Sequence, residues 1–122
     1  MAKMISNEMK KNVYDLYRRI ANPNDYSKLP DSYYETLDDV SEEDFAQLID
    51  VITTLLPREC KILMMRFGLE DGTQQTLETV GGHFSITRER VRQYEAKAIR
   101  KIRNNPTRKQ ALPVLFNIDF SS

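Results

Sequence analysis

Two short amphipathic stretches, joined by only a few residues, lie between residues 76 and 103 and constrain the fold more than any other feature. Their apolar positions recur at helical spacing: Leu77, Val80 and Phe84 in the first stretch, and Val91, Tyr94, Ala98 and Ile102 in the second. Gly81 is small enough for two steeply angled helices to touch there. Thr87 is a favourable N-cap, because its hydroxyl can accept from an amide one turn into the helix. The pattern predicts a helix-turn-helix.

The polar face of the second helix consists of side chains that can contact nucleic acid. With Val91 pointing inward, the stripe opposite the core holds Glu89, Gln93, Ala96 and Arg100, and it is flanked by Arg88, Arg92, Lys97 and Arg103. Arginine pairs with guanine, glutamine with adenine, and glutamate accepts from cytosine, whereas further cations suit phosphates. The pattern favours a recognition helix that enters the major groove of DNA.

The charge of the chain is strongly polarised although its sum is zero, with 18 basic and 18 acidic residues. Residues 84–110 hold nine basic and two acidic side chains, a net of +7, whereas residues 1–57 hold six basic and eleven acidic ones, a net of −5. Such asymmetry indicates a polyanionic partner at one end. Basic amphipathic helices also occur as solvated faces, membrane-surface helices and protein-binding helices, and these alternatives stay open.

The remainder of the chain also predicts helices. Apolar residues from Ile5 to Ile20 are spaced for an N-terminal amphipathic helix, which either packs on the rest of the domain or binds a partner. Ser41 and the acids after it begin a helix that runs to about Leu56, and Pro57 begins the next, which Gly68 ends. The last residues form an apolar tail that either folds back on the N-terminal helix or serves as a docking peptide.

Other chemistry has little support in the composition. The single cysteine, Cys60, and the single histidine, His83, are far from the spacing of a zinc site. No glycine-rich phosphate loop, membrane span or signal peptide is present, so we expect no cofactor, no metal, no enzymatic activity and a cytoplasmic location.

Four motifs carry a resemblance to a known family. They are LPRE, RFGL followed by DG, TLETVG, and TRERVRQYEAKAIRKIR. Together they resemble region 4 of bacterial primary-type sigma factors, over residues 55 to 112. The resemblance implies an all-α fold, a region 4-like helix-turn-helix bundle to which this chain adds an N-terminal helix. We expect residues 1–40 to form that helix and a linker with acidic residues and tyrosines, 41–110 the DNA-binding domain, and 111–122 the tail.

The resemblance also implies site residues and partners. The partners are double-stranded promoter DNA, through a minus-35-like element, and the beta flap of RNA polymerase. Positions that contact DNA in the family correspond here to Arg88, Glu89 and Gln93 for bases, to Arg92, Lys97 and Arg100 for the backbone, and to Thr76 and Thr87 near phosphates. Positions that contact the flap correspond to Leu56, Leu63, Met64 and Phe67. The basic end of the recognition helix would also meet a transcription activator.

Two departures from the family pattern bear on function. Tyr94 stands where an aliphatic residue is usual, so its hydroxyl needs a partner or an exit to water. No segment before residue 41 resembles the promoter-melting region, and the chain has no tryptophan. We therefore expect a freestanding sigma-like regulator, one half of a split factor with a second sigma-like chain, or an excised domain. The alternative function is a protein-interaction module that keeps the sigma fold, with DNA contact secondary.

Overall fold

A computed structural model describes residues 6–21 and 41–112, and over these ranges the protein is helical without strands. Six helices follow one another: α1 Asn7–Ala21, α2 Glu42–Thr53, α3 Pro57–Arg66, α4 Leu77–Phe84, α5 Arg88–Asn104 and α6 Pro106–Gln110. The all-α class and the extra N-terminal helix expected from the sequence are confirmed. Across the described ranges, no helix has the length and apolar character that a bilayer crossing demands.

The second and third helices begin where their capping residues predict. The Ser41 hydroxyl accepts from the Asp44 amide at 3.1 Å, and the Asp44 carboxylate accepts from the Ser41 amide at 3.0 Å, which is a complete capping box. Pro57 occupies the first turn of α3, where its missing amide leaves no hydrogen bond unmade. Helix α2 ends at Thr53, somewhat earlier than the sequence predicted. Gly68 follows α3 with a φ of +63°, a left-handed conformation that glycine adopts without strain.

Helices α4 and α5 form the predicted helix-turn-helix. Thr76 caps α4 and Thr87 caps α5, each by accepting from the amide three residues on. Gly81 lies where the turn crosses α4, and a Cβ atom there would be 2.7 Å from the carbonyl oxygen of Ile86. The close contact explains why the position needs glycine.

The interior consists of two clusters of buried apolar side chains. The smaller cluster, which we call the helix-turn-helix core, is formed by Ile62, Met65, Val80 and Val91, with Leu77, Phe84, Ile86 and Tyr94 packed against it. The larger one, the main core, joins α1, α2, α3 and α5, and its buried residues include Val13, Leu16, Tyr17, Ile20, Leu48, Leu63, Phe67, Ala98, Ile99 and Ile102. Helix α5 contributes to both, so its inner face is held along its whole length while its outer face stays exposed.

Helix α1 packs on the rest of the domain, the first of the two alternatives that the sequence left open. Val13, Leu16, Tyr17 and Ile20 are buried in the main core, as predicted from their spacing, and Tyr14 is buried with them. The linker expected within 1–40 and most of the apolar tail lie outside the described residues. Leu112, at the start of that tail, is buried in the main core.

Candidate nucleic-acid interface

The eight residues predicted to contact DNA are placed on one helix and at two helix starts. Arg88, Glu89, Arg92, Gln93, Lys97 and Arg100 are all exposed on α5, and Thr76 and Thr87 are exposed at the N-caps of α4 and α5. The inner face of α5 is buried through Val91, Ala98 and Ile102. The structure therefore holds a helix rigidly by one side and presents its polar side to solvent.

Several exposed side chains of this face are paired with neighbouring side chains in the free protein. Arg88 donates to the Glu78 carboxylate of α4 at 3.1 Å, and Arg92 donates to Glu89 at 3.0 Å. Arg90 donates to the Gln93 side-chain oxygen at 3.0 Å. Pairs this exposed contribute little stability, so exchanging them for contacts to a ligand costs little.

These pairs also set the protonation of the two exposed carboxylates. The pKa of Glu78 is lowered first by a hydrogen bond from its own backbone amide at the start of α4, and then by the one from Arg88. The hydrogen bond from Arg92 lowers the pKa of Glu89. Both groups therefore stay ionised through the mildly acidic range, and Glu89 remains an acceptor for a donor such as an exocyclic amine.

Tyr94, which departs from the family pattern, is half-buried and contacts two arginine side chains. The Arg90 guanidinium lies over its ring at 4.7 Å from the centroid. The pKa of its phenol is lowered first by a hydrogen bond with Arg58 and then by a hydrogen bond with Arg90. The tyrosine thus links the start of α3 to the outer face of α5, which a purely aliphatic side chain cannot do.

Two buried carboxylates brace α5 from inside, and sequence reasoning missed both. Glu95 is 2% exposed and forms ion pairs with Arg19 of α1 at 3.5 Å and Arg66 of α3 at 3.2 Å. Helical spacing was the available signal, because Glu95 lies four residues after Val91 and three before Ala98. That spacing places the carboxylate on the inner stripe, whereas its two arginine partners come from other helices.

Glu59 is the second buried carboxylate, and it connects α3 with the basic side of α5. Its side chain is 1% exposed and accepts from Lys101 at 2.8 Å and from the Leu56 amide at 3.3 Å. Lys97, predicted to contact the DNA backbone, lies 3.9 Å from the same carboxylate but remains 56% exposed. Lys97 can therefore reach a phosphate without leaving Glu59 unpaired.

The residues predicted to contact the polymerase flap are not brought to one surface. Leu56 is 56% exposed, and Met64 is partly buried against the main core. Leu63 is fully buried and Phe67 is 6% exposed, both within the main core. In this conformation Leu63 and Phe67 offer no surface to a partner.

The exposed face of α5 carries several kinds of hydrogen-bonding group. It combines cations, an amide and a carboxylate on a rigid helix, which are hydrogen-bonding groups for base edges and phosphates. Within 6–21 and 41–112 no three histidine, cysteine, aspartate or glutamate side chains cluster as a metal site.

Comparison with known proteins agrees with this geometry. Residues 51–104 match the family model "Sigma-70, region 4". The chain is 56% identical over 66 residues to RNA polymerase sigma factor SigA of Clostridium acetobutylicum, an alignment that covers 54% of this chain and 17% of that protein. It is 43% identical over 93 residues to RNA polymerase sigma factor RpoD of Neisseria gonorrhoeae, covering 76% of this chain and 13% of that protein.

The chain thus spans less than a fifth of the length of either relative. The matched part includes α3, the helix-turn-helix and only the last turn of α2, whereas α1 precedes it. The four motifs and the crossed helices α4 and α5 fall on the segment that matches the family model. Residues 51–104 of this chain are a sigma-70 region 4 domain of the primary-factor type.

Proposed function

We propose that the protein is a transcription factor that recognises a minus-35-like promoter element through α5 and docks on the beta flap of RNA polymerase. One observation carries the proposal: the polar face of α5 is exposed along its length while the helix is fixed by two cores. A helix held in this way fits the major groove without rearranging the protein. The net charge of +7 over residues 84–110 supplies the attraction to the phosphate backbone.

Each residue of the interface has a role that follows from its chemistry. Arg88, Glu89 and Gln93, near the start of α5, would contact base edges, because the first turns of a recognition helix lie deepest in the groove. Arg92, Lys97 and Arg100 would contact phosphates, as would the Thr76 and Thr87 caps. The pairs that Arg88 and Arg92 form in the free protein are exposed and exchange readily with DNA.

A binding assay with matched variants tests the promoter contact. Arg88→Ala should weaken binding to a minus-35-like duplex by about 1–3 kcal/mol and relax preference at one base pair. Lys61→Ala is the control, since it removes an exposed, ion-paired cation from α3, where Lys61 pairs with Glu70 as Arg88 pairs with Glu78. If Arg88→Ala and Lys61→Ala leave affinity and base preference equally unchanged, the proposal is overturned.

Polymerase docking is the second part of the proposal, and Leu56 supports it. Among the described residues Leu56 is the large hydrophobic side chain that stands exposed, at the turn between α2 and α3. Leu56 and the partly buried Met64 would meet the flap, and the basic end of α5 would meet an activator. Leu56→Asp should reduce capture by core polymerase without changing the affinity for the duplex. Unchanged capture would contradict flap docking through this surface.

The same exposed leucine favours one competing function. In that alternative the domain is a protein-interaction module, or one half of a split sigma factor that binds a second sigma-like chain, with DNA contact secondary. Arg88→Ala separates the two, because the alternative predicts intact partner binding and no loss of function on a promoter template. A loss of promoter-directed activity in parallel with duplex affinity excludes it.

A further inference from the structure

Helix α1 fills a groove in the domain as a bound peptide would. It buries five large side chains, Val13, Tyr14, Leu16, Tyr17 and Ile20, each at most 1% exposed, whereas its opposite face carries exposed polar residues such as Glu8 and Lys11. The groove is lined by apolar side chains of α2, α3 and α5. An amphipathic helix laid by its apolar face into a hydrophobic groove is a common mode of peptide recognition.

The groove belongs to the region 4 domain, but its occupant does not. Leu63, Phe67, Ala98, Ile99 and Ile102 lie within residues 51–104, the segment that matches the family, and they pack in the same cluster as α1. Arg19 of α1 extends over the Phe67 ring, with its guanidinium 6.0 Å from the centroid. Two of these residues, Leu63 and Phe67, stand at positions that the resemblance to region 4 implies for the flap contact, yet here they are covered. The occupant of the groove is therefore a helix from outside the matched domain.

The polar contacts of α1 lie at the margins of the groove. Asn12 donates to the carbonyl oxygens of Gly68 at 3.2 Å and Gly72 at 2.9 Å. Gln74 donates to the Asp15 carboxylate at 2.8 Å. The Arg19 ion pair with Glu95 lies at the other end. No covalent link holds α1 in the groove, and water or a second helix can replace each of these contacts.

We propose that α1 and an amphipathic helix of the polymerase flap compete for this groove, so that α1 controls docking. The inference rests on the proposed flap contact and assigns its regulation. The competing helix would carry aliphatic and aromatic side chains on one face and a cation placed to meet Glu95. Binding then requires α1 to leave, and the apparent affinity is the intrinsic affinity multiplied by the fraction of molecules whose groove is open.

A pair of matched variants of the full chain separates competition from ordinary destabilisation. Leu16 of α1 and Leu48 of α2 are both fully buried in the main core. Leu16→Ala weakens the packing of α1 in the groove and so raises the fraction of molecules whose groove is open. Binding to an isolated bacterial beta-flap domain should therefore tighten roughly tenfold or more. Leu48→Ala leaves the apolar face of α1 intact and removes part of the groove wall that a competing helix would also need, so it should not tighten binding. Circular dichroism checks that both variants remain helical.

A cross-link provides the opposite perturbation without removing any core contact. Asp15→Cys and Gln74→Cys, in a Cys60→Ala background, place two thiols where the side chains of Asp15 and Gln74 are hydrogen-bonded. Joining them with a short bismaleimide holds α1 in place and should abolish flap binding, whereas the unlinked protein binds. The duplex affinity is the control, since the outer face of α5 is untouched.

The outcomes distinguish a failure of this inference from a failure of the proposed flap docking. If the linked protein binds the flap as well as the unlinked one, or if Leu16→Ala weakens binding as Leu48→Ala does, α1 does not compete and only the inference fails. If neither wild type, Leu16→Ala nor the unlinked double-cysteine protein binds the flap, the docking itself is overturned and the inference with it. Tighter binding by Leu16→Ala alone, together with loss on cross-linking, supports both.

Discussion

At the scale of single residues, Gly81 and Gly82 are neighbours in α4 with opposite tolerance for a side chain. A Cβ at Gly81 would lie 2.7 Å from the Ile86 carbonyl oxygen, whereas a Cβ at Gly82 would meet nothing within 4 Å. We expect Gly81→Ala to lower the free energy of unfolding by about 1–3 kcal/mol, because the turn must shift. Gly82→Ala should raise it by about 0.5–1 kcal/mol through helix propensity. Urea unfolding measures both, and equal effects would contradict the packing assigned to the turn.

Tyr17 carries a buried hydroxyl that finds no hydrogen-bond partner among the described residues. Its pKa is raised, first by burial and then by Asp44 and Tyr14 nearby. A phenol with a raised folded pKa contributes its full stability below about pH 10 and loses it as the pH rises further.

Tyr17→Phe should therefore stabilise the protein increasingly at high pH. At pH 7 we expect no loss, or a gain of about 1 kcal/mol, because a buried hydroxyl without a partner in the described part of the chain is removed. Above pH 10 the advantage over wild type should grow by up to about 1.4 kcal/mol per pH unit. Denaturant unfolding at pH 7 and pH 11 measures the difference, and a difference that is independent of pH would show that the phenol ionises freely in the folded state.

At the scale of the helix, α5 depends on its cap. The Thr87 hydroxyl accepts from the Arg90 amide at 3.1 Å. Thr87→Ala should cost about 1 kcal/mol in the free energy of unfolding, and Thr87→Ser should restore most of it, since serine keeps the acceptor. Thermal unfolding followed by circular dichroism compares the three proteins. A serine variant as unstable as the alanine variant would mean that the methyl group, not the cap, stabilises the helix start.

The same helix offers a matched pair of carboxylates, one buried and one exposed. Glu95 pairs with Arg19 and Arg66 inside the molecule, whereas Glu89 pairs with Arg92 on the surface. Glu95→Gln should destabilise the fold by about 1–3 kcal/mol, because two partly buried guanidinium groups lose their counter-charge. Glu89→Gln should change the stability by less than about 0.5 kcal/mol. Equal effects in chemical denaturation would mean that the inner pair is solvated.

At the scale of the whole molecule, charge separation determines how the protein meets DNA. The net charge is zero, yet the exposed face of α5 is strongly basic. Local potential, rather than net charge, steers association with a polyanion. The logarithm of the duplex affinity should fall linearly with the logarithm of the salt concentration, and Arg92→Ala or Arg100→Ala should each reduce the slope by about 1.

Lys11→Ala is the control for this salt dependence, because Lys11 is an exposed cation of α1 in the acidic half of the chain. It should leave the slope unchanged. Fluorescence anisotropy with a labelled duplex gives all of the slopes. If Lys11→Ala changes the slope as much as Arg92→Ala does, contact with DNA is not confined to α5.

Much of the fold was predictable because its signals are local. Ser41, Thr76 and Thr87 cap helices within their own next turn, and Gly81 acts on a carbonyl five residues away. The exposed face of α5 followed from helical periodicity for the same reason. Whether that face binds DNA remains a prediction.

What the amino-acid sequence determined by itself is the set of helices and which side of each is apolar, since capping and periodicity act over a few residues. Only the tertiary structure decided which partner covers each apolar side. It buried Leu63 and Phe67 in the core that α1 shares, and it turned Glu59 and Glu95 into inner ion pairs. These outcomes depend on contacts between residues tens of positions apart, and the spacing of residues within one helix carries no record of them.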